Sequence, residues 1–152
     1  MRSLKEVLLE ELENANVART TVEEYINDNY DVKGILTYEN VNGLCVVKCD
    51  GNVKVKNKKI EKLTDGFVWG DVKGDFICSN CINLKSLEGV PENVGGNFDC
   101  RGCIKLTSLK GASKTVVAGK FDCRYCPITS MVPGPKRVGS IISDINSGPR
   151  IA

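Results

Sequence analysis

The sequence predicts a repeat solenoid of mixed α+β class, a short parallel-sheet stack under a helical and hairpin cap. Three observations predict it. Phe76-Ile-Cys-Ser-Asn-Cys81 returns after 22 residues as Phe98-Asp-Cys-Arg-Gly-Cys103, and after a further 23 as Phe121-Asp-Cys-Arg-Tyr-Cys126. Apolar residues downstream keep the same phase: Leu84/Leu106/Ile128, Leu87/Leu109/Met131 and Val94/Val116/Val138. Residues 1–33 lack this pattern and carry a helical period instead. A fixed period near 22 residues marks units that bury their apolar faces only against their neighbours.

The totals narrow the class. A chain of 152 residues, 41% hydrophobic and 26% charged, can bury a core without disulfides. No apolar run approaches the ~18 to 20 residues that cross a bilayer. Met1-Arg-Ser-Leu-Lys-Glu6 leads into acidic residues, so no secretion signal and no membrane association are expected. A cytoplasmic location follows, and there the eight cysteines stay reduced. Histidine is absent, which removes Ser-His and Cys-His nucleophiles and every histidine metal site. With no acid, base and nucleophile standing together, the expectation is a protein that is not an enzyme. Charge is uneven. Residues 1–32 carry three basic against eight acidic residues, net −5, and residues 33–152 carry 18 against 11, net +7.

Taken in order, Ser3-Leu-Lys-Glu6 fits a capping box, and Leu4, Val7, Leu8, Leu12 and Val17 follow at helical spacing. Thr20 and Thr21, with Glu23 and Glu24 three residues on, predict a second helix through Val22, Tyr25 and Ile26 that ends around Asn27–Asp31. A helical pair over 1–33 is therefore expected. From Gly34 the pattern becomes strands: Ile35–Tyr38, Leu44–Lys48 and Val53–Lys56. Cys49-Asp-Gly-Asn52 reads as the tight turn between the last two. Domain boundaries follow as a cap, 1–33, and a hairpin leading into a solenoid, 34–152. The solenoid divides into about four units of 21–24 residues, near 53–75, 76–97, 98–120 and 121–141, with an end segment 142–152. The first unit is degraded: Val53 and Val55 stand 23 residues before Phe76 and Cys78. Val138-Gly-Ser-Ile-Ile142 begins a partial fifth. No unit has room for a crossover helix, so turns or short 3₁₀ pieces are expected opposite the sheet.

These residues resemble leucine-rich repeats, whose pattern runs L-x-x-L-x-L-x-x-N/C-x-L. Phe121-x-Cys123-x-x-Cys126-x-Ile128 matches its second half, while the two earlier units carry one extra residue before Leu84 and Leu106. Leu84-Lys-Ser-Leu87-Glu-Gly89-Val-Pro91 and Val94-Gly-Gly-Asn-Phe98-Asp-Cys100 are similar to the irregular, cysteine-containing leucine-rich repeats of large tailed bacteriophages. The resemblance covers residues 53–145. It implies a binding scaffold, a host protein as partner in the host cytoplasm, and action as an inhibitor or anti-defence effector.

The cysteines carry three readings. Cys78/Cys81, Cys100/Cys103 and Cys123/Cys126 are three C-x-x-C pairs, a spacing that suits structural zinc. In a solenoid the same residues fall on an inward strand position and on the turn position where Asn or Cys satisfies the backbone, which makes them core. A redox site is disfavoured by three equivalent copies. Cys45 and Cys49, placed around a turn, could pair.

Three surfaces are candidates. Asp99 and Asp122 form one outward column and Arg101 and Arg124 another on the same face, with Tyr125 beside them. Tyr and Arg together are interface chemistry, so this is the candidate protein-binding face; a solvated lattice of Asp–Arg pairs is the plain alternative. Lys54, Lys56, Lys58, Lys59 and Lys62 could meet nucleic-acid phosphate, although no aromatic interleaves with them. Trp69, the sole tryptophan, reads as core or as an exposed anchor within a repeat corner. Self-association is open through the helical cap or through the last sheet edge, which Ser147-Gly148-Pro149 could blunt.

Overall fold

Each Phe-x-Cys segment becomes a rung of a parallel sheet that curls into a β-solenoid of about four turns, headed by helix. The computed structural model describes residues 3–144, with backbone alone for 11–20. Its elements are α1 (Leu4–Asn29), β1 (Tyr30–Lys33), β2 (Leu36–Val41), β3 (Leu44–Cys49), β4 (Asn52–Val55), β5 (Val68–Val72), β6 (Phe76–Ile77), β7 (Asn93–Val94), β8 (Phe98–Asp99), β9 (Val116–Asp122) and β10 (Arg137–Ile142). A 3₁₀ turn lies at Lys110–Ala112. Among the described residues no helix is long and apolar enough to cross a membrane.

Two ladders of parallel strands build the body. The first aligns Val53, Phe76, Phe98, Phe121 and Ile141, one per coil, as the 22- and 23-residue spacings predict. The second aligns Cys49, Val72, Val94, Val117 and Val138. It corrects two expectations. Strands, not only turns, face the phenylalanine ladder. Val117, not Val116, stands beneath Val94, because the extra residue of the 98–120 unit is taken up by the 3₁₀ turn between Leu109 and the strand. β9 and β10 each run through both ladders.

The corner between the ladders explains the glycines. Gly74, Gly96 and Gly119 each donate their amide to the glycine carbonyl one coil earlier, at 3.0, 2.9 and 2.9 Å. A Cβ on Gly119 would lie 2.7 Å from the Gly96 carbonyl oxygen, so coils can stack this closely only without one. Beside this column, Asn52, Asp75 and Asn97 accept with their side chains from the amides of Asp75, Asn97 and Lys120 at 2.9, 2.7 and 2.9 Å. The corner thus keeps its backbone hydrogen-bonded from coil to coil.

The interior is apolar. Phe76, Phe98 and Phe121 stack with centroids 5.4 and 5.0 Å apart, and Trp69 meets Phe76 edge-on at 6.2 Å. Leu84, Leu87, Leu106 and Leu109 fill the corners and are fully buried. Trp69 is core, on strand β5 instead of in a corner.

At the N-terminal end the Ser3–Glu6 capping box forms as expected. The two expected helical segments run on as one element, α1, which ends at Asn29, within the expected Asn27–Asp31, and β1 follows, antiparallel to β4. Val22, Ile26 and Tyr30 seal the first coil, where the Tyr30 hydroxyl donates to the Leu63 carbonyl at 2.5 Å. The hairpin is β2–β3, turned by Asn42 and Gly43 with φ of 52° and 84°. Asn-Gly between apolar runs is the stronger hairpin signal, and Cys49–Asn52 is a coil corner in which β3 and β4 do not pair. Cys45 and Cys49 therefore lie on one strand, about 13 Å apart at strand rise, too far to bridge. β10 forms the last rung as the partial fifth unit, paired to β9. Ser147, Gly148 and Pro149 lie outside the described residues.

Candidate functional site

The outward side of the phenylalanine ladder brings Asp99, Arg101, Asp122, Arg124 and Tyr125 together. Each aspartate ends a rung and accepts the amide of the arginine two residues on, Asp99 from Arg101 at 3.0 Å and Asp122 from Arg124 at 3.2 Å. That local turn aims the arginine back along its own rung. Arg124 grips Asp122 through Nε at 3.0 Å and Nη2 at 2.8 Å. Arg101 binds Asp99 through Nε at 3.1 Å and also reaches Asp122 of the next coil at 3.6 Å. The result is a chain, Asp99–Arg101–Asp122–Arg124, that joins two coils. Partial burial pushes the Asp122 carboxyl up, but hydrogen bonds and charge from Arg124, with Arg101 behind, hold it below the ordinary carboxylate value.

Tyr125 follows in a turn whose three equivalents are Asn80, Gly102 and Tyr125, with φ of 58°, 70° and 62°. Asn and Gly suit this left-handed conformation; a tyrosine there costs about 1–2 kcal/mol. Its ring is 67% exposed. The Arg124 guanidinium carbon lies 6.0 Å from its centroid, and its amide donates to Asp144 Oδ2 at 2.7 Å.

The six repeat cysteines form two interior columns, and all eight in the chain are free thiols. Cys103 donates its thiol to the Cys78 carbonyl at 3.1 Å, and Cys126 to the Cys100 carbonyl at 3.0 Å. Lys58 stands at the foot of that column, its ammonium on the carbonyls of Val55 at 3.0 Å and Ser79 at 2.9 Å. Hydrogen bonding to Cys103 and to Cys126 respectively, together with burial, pushes the Cys78 and Cys100 thiols well up. Cys126 rises to about 11: Cys100 lowers it, but Cys103 and burial outweigh that. Cys81 and Cys103 shift down through neighbouring thiols, yet both are sealed from solvent. Among the described residues no three His, Cys, Asp or Glu side chains are placed to hold a metal ion. The thiol hydrogen bonds fit core cysteines better than zinc ligands.

The lysine run does not stay together. Lys54 and Lys56 point outward from β4 and its end, Lys58 is spent on backbone, and Lys59 and Lys62 sit on the next corner. There Lys62 meets Lys85 and Lys105 around a depression of about 290 Å³. The last two are 23 and 43 residues further along the chain, so only the coil period could have grouped them. A groove of about 890 Å³ lies against the β2–β3 hairpin over Val46 and Val68. Within it Glu39 is paired to Lys48 at 3.2 Å and Asp71 accepts from Asn93 at 2.8 Å.

Searches of family models, of curated proteins and of solved structures each return no match to this chain. The fold defines the class: a β-solenoid with a helical head.

Proposed function

We propose that this chain is a non-enzymatic protein-binding module of leucine-rich-repeat-like type, a phage effector that docks on a host protein and blocks or redirects it. The observation that carries this reading is Tyr125. A large aromatic is held exposed in a backbone conformation that its equivalents meet with Asn80 and Gly102. Strain of this kind points to use rather than stability. Around it the Asp–Arg chain is preorganised and locally neutral, so a partner is read by guanidinium geometry and by the ring. Docking then loses little side-chain entropy and depends weakly on salt.

Tyr125→Gly tests this. The variant is expected to unfold no more easily than the wild type, and more stably by up to about 1 kcal/mol, while losing capture of the host protein. Arg101→Glu with Arg124→Glu is expected to lose capture as well. Unchanged affinity in Tyr125→Gly would remove the face from the mechanism. The alternative is nucleic-acid binding at Lys59, Lys62, Lys85 and Lys105; captured material that vanishes with nuclease, with affinity falling steeply in salt, would favour it.

A further inference from the structure

Two apolar features of opposite charge lie uncovered on this molecule. The first is the free end of α1. Its last turns pack through Val22 and Ile26, but Leu4 is 74% exposed and Leu8 53%, with Leu9 beside them. Leu4, Val7 and Leu8 follow the i, i+3, i+4 spacing of one helix face, bordered by Glu6 and Glu10. Exposed apolar residues contiguous on one helix face mark a surface that a partner can cover. The second feature is a ridge on the body. Ile82 and Ile104 each follow the second cysteine of their coil, so they stack one above the other about 4.8 Å apart. Ile104 is 61% exposed. The ridge adjoins the Lys62, Lys85 and Lys105 depression through Asn83, which accepts from Lys105 Nζ at 3.1 Å; Glu61 is the one carboxylate lining that depression.

We propose that a second copy of this chain supplies the occupant: the leucine face of α1 on one copy seats on the Ile82–Ile104 ridge of the other. The charges match this pairing. The head carries net −5 and the body net +7, so carboxylates bordering the leucines meet lysines bordering the isoleucines. Two heads packed on each other would instead bring like charge together. A head-to-body contact made twice about a two-fold axis closes as a dimer; one that does not close propagates into a chain of copies.

The test measures mass in solution across a wide concentration range for the full chain after nuclease treatment. Leu4→Glu with Leu8→Glu breaks the head, and Ile104→Glu with Lys105→Glu breaks the ridge. All four positions are exposed, and circular dichroism checks that both variants stay folded. The wild type is expected to associate, more weakly as salt rises, and each variant to lose at least tenfold in affinity. An equal mixture of the two variants is expected to recover association, because each retains the half the other lacks. A monomeric wild type at every concentration overturns the proposal, as does association that survives either variant or variants that fail to complement. Wild type held together only before nuclease treatment overturns it too, and assigns the lysines to nucleic acid.

Discussion

The two ladders share every coil yet solve different problems. The phenylalanine ladder stacks three rings in identical register, and its outward side carries the Asp, Arg and Tyr residues. The valine ladder carries smaller side chains and tolerates slips: register shifts fall between Val47 and Cys49 and between Val138 and Ser140, and one coil absorbs an extra residue. Stacked rings cannot be offset without losing contact along the whole column, whereas a valine against a valine loses little. The strict ladder therefore fixes where outward residues stand, and the loose one takes up length changes.

The largest effect should come from breaking the strict ladder. Phe98→Ala removes a buried ring between two others and is expected to cost about 3–5 kcal/mol in chemical denaturation. Val94→Ala, equally central in the loose ladder, is expected to cost about half as much. Equal losses would mean that the ladders are equivalent. Gly119→Ala strikes the corner where they meet. A methyl group there must displace the Gly96 carbonyl, and the expected loss is about 1–3 kcal/mol. The smallest effect is electrostatic. Because the folded state holds Asp122 below its ordinary value, its contribution is complete above the unfolded pKa and is lost as pH falls through the lower folded one. Asp122→Asn should lower stability slightly at neutral pH, change little at low pH, and so flatten the acid side of a stability-against-pH curve. An unaltered acid limb would assign the chain's rigidity to the amide bonds alone.

Much of the strict ladder was legible. Phe76, Phe98 and Phe121 announce their register because an interior position repeated in space is repeated in sequence. The Asp99–Arg101 and Asp122–Arg124 columns could be read from alternation along a rung. The loose ladder was not, since valines at shifting offsets leave phase undetermined, and Val116 and Val117 are indistinguishable by composition. The head was half legible: the Asp-Gly at the corner drew the hairpin reading, while Asn42-Gly43, the turn that forms it, went unread. Tyr125 was visible as a residue type, while its left-handed backbone was not; only Gly102 in the equivalent place hinted at it. Lys85 and Lys105 join Lys62 by stacking alone, which linear charge runs cannot show.

The glycine corner makes the molecule a ruler. Each coil adds one strand spacing, about 4.8 Å, and the stacking contacts at that corner are the same from coil to coil. Duplicating residues 98–120 would carry Tyr125 one such step further from the helical head without altering either. The separation of the two ends is thus quantised, and repeat number is the dial by which such a chain can be matched to a target of fixed size.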